Sequence, residues 1–94
     1  MNAPLAYRPD LSDWTDIERG EFCYRGGEDG VIKWVVLWPH DCRAPMSIPC
    51  NGQRNGGGST WELSGPEDSP TLRPSINWVN NWHGWLTDGV ASLA

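Results

Sequence analysis

Ninety-four residues carrying a net charge of −5 make a single domain with a thin core and little room for a deep cavity. The acidic balance argues against nucleic acid as a direct ligand, because neutralising phosphates needs an excess of Lys and Arg, and it gives an anionic membrane surface nothing to attract. No run of about 18 apolar residues occurs, so no segment reads as a membrane span.

Along the chain, residues 1–10 read as an extended or frayed arm punctuated by Pro4 and Pro9. Ser12 is placed to cap a short helical turn through Trp14 and Asp16, with Asp13 and Asp16 near its positive end, and Gly20 closes it. Glu21 to Arg25 is a β-like run, followed by a loop from Gly26 to Gly30. Val31 to Trp38 carries the strongest strand signal, rich in β-branched and aromatic residues between Gly30 and Pro39. Apolar on both faces except at Lys33, it reads as a central strand. Residues 39–50 are broken by prolines, and residues 51–60 form a loop around Gly56-Gly57-Gly58. That loop lacks the Lys-Ser/Thr and the helix of a phosphate-binding loop, so it reads as a hairpin connection. Trp61 to Ser64 is strand-like. Pro70 and Pro74 bracket Thr71-Leu72-Arg73, and Ile76 to Val79 resumes a strand. The clearest hairpin is the last, where Thr87-Asp88-Gly89 joins Trp85-Leu86 to Val90–Leu93.

These elements predict a mainly β fold: a small β-sandwich or curled antiparallel barrel of about six short strands with a short N-terminal helical turn. The whole chain is one domain with an acidic part, residues 1–30, and a second part, residues 31–94. The acidic part holds seven acids (Asp10, Asp13, Asp16, Glu18, Glu21, Glu28, Asp29) against three bases (Arg8, Arg19, Arg25), or −4 of the −5. Met1-Asn2-Ala3-Pro4-Leu5 has neither the basic segment nor the apolar stretch of a signal peptide. Cys23, Cys42 and Cys50 are an odd count, unlike a secreted disulfide framework, and the two features together point to the cytoplasm of a bacterial host. A Cys42–Cys50 disulfide across a hairpin remains an alternative to free thiols.

Trp61, then Pro70-Thr71-Leu72-Arg73-Pro74-Ser75-Ile76, then Trp82-His83-Gly84-Trp85-Leu86 and Gly89 form a pattern over residues 31–94. It resembles a family of small uncharacterised phage and bacterial proteins, some of whose bacterial members lie beside ubiquitin-like conjugation genes. Many such relatives carry a Cys-Pro-x-Cys-like segment after the central strand and a Cys-His pair before the last hairpin, which implies a metal site. Here those stretches read Trp38-Pro39-His40-Asp41-Cys42 and Trp82-His83, with tryptophan at two of the implied ligand positions. The set left for zinc is His40, Cys42, Cys50 and His83, against a reading of buried thiols and hydrogen-bonded histidines with no cofactor.

Catalysis by a nucleophile needs a Cys or Ser beside a His base that a third group orients. His83 with Cys42, Cys50 or Ser75 can be drawn, but no nucleophile elbow or strand-to-helix switch accompanies it. The expectation is therefore a non-catalytic protein-binding domain: a phage-encoded, anti-CRISPR-like inhibitor that docks on a host or defence protein. Asp10, Asp13, Asp16 and Glu18 would supply its acidic face, and Trp82 and Trp85 its aromatic anchors. The alternatives are a zinc-stabilised accessory module and a small hydrolase or isopeptidase dependent on His83. An exposed strand edge also admits a homodimer.

Overall fold

Short apolar–polar alternations separated by turn residues become nine short strands in the computed structural model, which describes residues 2–26 and 29–94. They are β1 (Asn2–Pro4), β2 (Ala6–Tyr7), β3 (Glu21–Gly26), β4 (Ile32–Leu37), β5 (Met46–Pro49), β6 (Glu62–Ser64), β7 (Thr71–Trp78), β8 (Trp82–Thr87) and β9 (Val90–Leu93). They form two sheets, in the orders β1-β9-β8-β7-β6 and β2-β3-β4-β5. The strand pairs are antiparallel except β2 with β3. The mainly β expectation holds as a two-sheet sandwich, not a closed barrel. The loop expected at 26–30 lies partly outside the described residues, which omit Gly27 and Glu28.

The two inner faces supply one core. Phe22, Val35, Leu37, Met46 and Ile48 from one sheet meet Leu72, Ile76, Trp82, Leu86 and Ala91 from the other. Tyr7 stacks on Phe22 with ring centroids 5.1 Å apart, and Tyr24 meets both edge-on, which extends the core to the β2 edge. β4 lies between β3 and β5 and is covered on both faces, as its composition predicts. Val35 and Leu37 face the core. Val36 and Cys23 face outward beneath Ile17, with Leu11 and Trp38 packed against them.

The helical turn exists as a 3-10 turn at Trp14–Asp16, but Asp13 caps it instead of Ser12. The Asp13 carboxylate accepts from the Thr15 N–H at 2.9 Å and from its hydroxyl. These bonds, the hydroxyl foremost, hold its pKa below the usual carboxylate range. The turn lies over the outer face of the β3–β4 pair, where Arg25 stacks between Trp14 and Trp34, 4.2 and 5.3 Å from the two rings.

Two segments expected to be irregular are strands. The arm at the start crosses the sandwich edge: β1 pairs with β9, β2 pairs with β3, and between them the Leu5 N–H donates to Gly89 and the Ala6 N–H to Gly20. β5 was hidden by Pro45 and Pro49. An edge strand tolerates proline wherever its nitrogen faces away from the ladder. The last hairpin is as predicted, with Asp88 and Gly89 both at positive φ (51° and 77°), the geometry of a tight two-residue turn.

Cys23, Cys42 and Cys50 are free and buried, so the alternative disulfide is not formed. Burial is the main cause that pushes all three thiols up from 9.0. At neutral pH the native protein should therefore resist iodoacetamide, with three adducts appearing by mass spectrometry only after denaturation; rapid native labelling would contradict this packing. A raised folded value also means that these thiols stabilise the fold below pH 9 and that this contribution is lost as pH climbs through the raised values.

Candidate active site

β7 does not run straight. It pairs with β8 at Leu72↔Leu86 and again at Ile76↔Gly84, Asn77↔His83 and Trp78↔Trp82, with the register shifted between Leu72 and Ile76. Residues 73–75 therefore form a bulge opposite Trp85. Bulges of this kind bend a strand and re-aim its side chains, and they recur beside active sites. The prolines that seemed to split the segment sit before β7 and in this bulge, so one strand spans both halves.

Alternation about the bulge decides which residues share a face. Ile76 and Leu72 are buried, so Ser75 and Asn77 belong to the outer face of the sheet, Ser75 half-buried and Asn77 exposed. On β8, Trp82, Gly84 and Leu86 are buried, so His83 and Trp85 are on that same outer face. Asn77 is then directly across from His83, and Ser75 lies two residues before it, in the bulge, where the ladder assigns it no partner on β8. In a regular ladder diagonal neighbours lie about 7–8 Å apart, within reach of an aromatic side chain such as imidazole. On the other side of β8, Trp85 pairs with Ser92, which makes Ser92 a diagonal neighbour of His83.

The base of this patch is fixed. Arg73 lies 5.0 Å from the Trp85 ring centroid and donates to the carbonyls of Leu72 and Leu86, at 2.8 and 3.0 Å, and to the Thr87 hydroxyl at 2.8 Å. The guanidinium thus takes up carbonyls beside the bulge and pins β7 to β8. From behind, Trp61 Nε1 donates to the Ser75 carbonyl at 3.3 Å. A serine on an anchored bulge, with an imidazole on the next strand and an amide facing that imidazole, is a set of groups suited to acyl transfer.

The other expected site residues fall elsewhere. Trp82 is only 4% exposed, with its ring against Gly84 and its Nε1 donating to the Asp41 carboxylate at 2.9 Å. Strand alternation turns it inward, which corrects its reading as a partner anchor. Trp85 is 37% exposed on the outer face. Asp10 pairs with Arg8, which also bridges to Glu21, and Asp13 caps the 3-10 turn, while Asp16 and Glu18 are exposed beside them.

The expected metal set does not assemble, and among the described residues no group of three or more His, Cys, Asp or Glu side chains is placed to hold a metal ion. His40 is exposed with its ring against Gly20, and His83 belongs to the opposite sheet. The buried Cys42 Sγ donates to the Ala44 carbonyl, and Cys50 is buried at the end of β5. Indoles tie down the loop after β4 instead: Trp38 Nε1 donates to the Cys42 carbonyl at 3.0 Å and Trp82 Nε1 reaches Asp41. Arg19 donates to the same Cys42 carbonyl.

Residues 9–94 match the family model described as BubE, bacterial ubiquitination-like system serine protease. The chain belongs to the BubE family. The match includes most of the acidic N-terminal part as well as the segment that carries the Pro-Ser-Ile and His-Gly motifs. No curated protein and no solved structure matches the chain. Membership overturns two expectations at once. A serine protease family conflicts with a non-catalytic domain, and a ubiquitination-like system replaces the anti-CRISPR, phage-inhibitor role. The first had rested on the lack of a nucleophile elbow, a device of strand-to-helix turns for which a two-sheet sandwich has no use, and the second on the acidic face and the aromatic anchors. No helix among the described residues is long and apolar enough to cross a membrane.

Proposed function

We propose that this chain is a serine hydrolase of a ubiquitination-like system, with Ser75 as nucleophile and His83 as its base. The observation that supports the reading is the β7 bulge, which holds Ser75 two residues from Asn77, the strand partner of the outward-facing His83 of β8. The family description supports the reaction class, and the bond we propose is the peptide or isopeptide link made by the tail of a ubiquitin-like protein.

In this mechanism the Ser75 Oγ attacks the scissile carbonyl while His83 takes the hydroxyl proton. Collapse of the tetrahedral adduct breaks the C–N bond, and His83 returns the proton to the departing amine. Water, deprotonated by the same imidazole, then hydrolyses the Ser75 ester and releases the free acid. Asn77, across from His83, is the group positioned to orient the ring, as an amide does in some cysteine proteases. Arg73 is a positioning residue, since it holds the bulge and Trp85 without touching the reacting atoms.

A fluorophosphonate probe tests the assignment directly, because it phosphonylates only an activated serine. One adduct per chain is expected, mapped by peptide mass spectrometry to Ser75 and absent from His83→Ala. An adduct on Ser92, or none on a folded chain, would reject Ser75 as nucleophile.

A further inference from the structure

A groove of about 610 Å³ opens beside this site, at the edge of the β2-β3-β4-β5 sheet, within the size range of specific ligand sites. Its walls are apolar: Trp14 and Trp34 on one side, Trp61 behind, and Trp78 and Val79 from the β7–β8 turn. Trp78 is 46% and Val79 75% exposed, an unusual state for two large apolar residues side by side in a chain otherwise well packed.

The floor of the groove is an open strand edge. In the β4–β5 pair the Cys50 N–H donates to Lys33, whereas the Pro49 carbonyl turns away to accept from Trp61. Hydrogen-bonding direction alternates along an antiparallel strand, so the N–H and carbonyl of Ser47 also turn away from β4. They meet the groove, with no hydrogen-bond partner among the described residues. Pro45 and Pro49 flank Ser47 and remove the neighbouring outward N–H groups, which leaves one matched donor–acceptor pair. Such an edge accepts a short extended peptide and discourages a long sheet.

Charge narrows the occupant further. The described lining holds Arg25 and Arg54 and no acid, a local positive region on a protein of net charge −5. Both guanidiniums are held, Arg25 between two indoles and Arg54 by the Gly58 carbonyl at 2.7 Å. A pre-ordered guanidinium suits a carboxylate.

We propose that the groove binds an extended peptide with apolar side chains and a carboxylate, added as a strand against Ser47. The groove stands on its own geometry. Its role in turnover rests on the hydrolase reading, because Asn77 borders the groove and faces His83 across the β7–β8 pair.

The test uses the full chain carrying Ser75→Ala, so that binding is read without cleavage. Fluorescence polarisation follows a fluorescein-labelled hexapeptide, Leu-Val-Thr-Val-Leu-Ala, as free acid, as C-terminal amide, and with alternate residues N-methylated. Saturable binding of the free acid is expected. N-methylation in one of the two alternating sets and Trp78→Ala should each weaken it at least tenfold. A weaker amide identifies the terminal carboxylate as the group recognised; a weaker amide rescued by an aspartate within the peptide identifies a side-chain source. Trp78 is exposed, so Trp78→Ala should keep the wild-type circular dichroism spectrum and report binding alone. Absence of binding, or binding indifferent to both N-methyl sets and to Trp78→Ala, overturns the groove. Failure of the fluorophosphonate reaction with peptide binding intact would instead remove the hydrolase reading and leave the groove standing.

Discussion

Ser75→Ala is expected to lower hydrolysis of an activated ester, and of a peptide bond at the tail of a ubiquitin-like protein, by about 10⁴-fold or more. Its melting temperature should stay at the wild-type value. Ser75 is half-buried and, among the described residues, no hydrogen bond runs through its hydroxyl, so its loss costs chemistry and little structure. His83→Ala should cost a similar factor, since an imidazole on an exposed strand position is also free of structural duty. The double variant should be no slower than the worse single one, because nucleophile and base act as one unit and their losses do not add. Ser92→Ala separates the two serines that flank His83 and should leave the rate within about twofold, because in this mechanism its hydroxyl takes no part in the attack. A chain that keeps its activity without Ser75 but loses it without Ser92 would move the nucleophile to β9.

The second large effect is on stability, at Gly84. A Cβ built there lies 2.3 Å from the Ser92 carbonyl oxygen and 2.5 Å from Cη2 of Trp82. The first neighbour is backbone of the paired strand, and the second is an indole locked in the core by its bond to Asp41. Neither can step aside. Gly84→Ala should therefore cost about 3 kcal/mol, the upper end for overpacking a tight site. At roughly 4–8 °C per kcal/mol for a domain of this size, the midpoint falls by about 12–24 °C in a thermal scan followed by circular dichroism. Gly56→Ala is the matched control, for a Cβ there meets nothing within 4 Å. Equal melting of the two variants would mean that Trp82 does not lie over Gly84.

How much of this was legible beforehand depends on which physical signal each element rests on. The Val31–Trp38 run and the Asp88-Gly89 turn announce themselves because local propensity and tertiary role agree there. β5 and the first two strands did not, since Pro4, Pro45 and Pro49 read as loop in isolation and only an edge position makes them acceptable. Ser75 and His83 were both noticed, but eight residues of separation carry no geometry until the β7–β8 register and its bulge are known. The tryptophans misled for a related reason. Trp82 and Trp85 look equivalent in a string, whereas strand alternation buries one and exposes the other. Trp78, at the end of the hairpin, escapes the core altogether. The four residues named for zinc stay apart because His83 belongs to the other sheet and the buried Cys42 thiol donates to the Ala44 carbonyl.

The pairing of β1 with β9, Asn2 opposite Ser92, has a consequence for how the molecule is made. Five strands form that sheet, and four of them come from residues 62–93, with the fifth drawn from residues 2–4. During synthesis the opening segment emerges first yet has no partner until residues 90–93 have cleared the ribosome. Until then the β2-β3-β4-β5 sheet waits with its inner aromatic face uncovered. Folding dominated by such distant pairings is slow, and an exposed nascent sheet is prone to association. Pairing β1 with β9 thus makes closure of that sheet a long-range step, which the refolding rate would report.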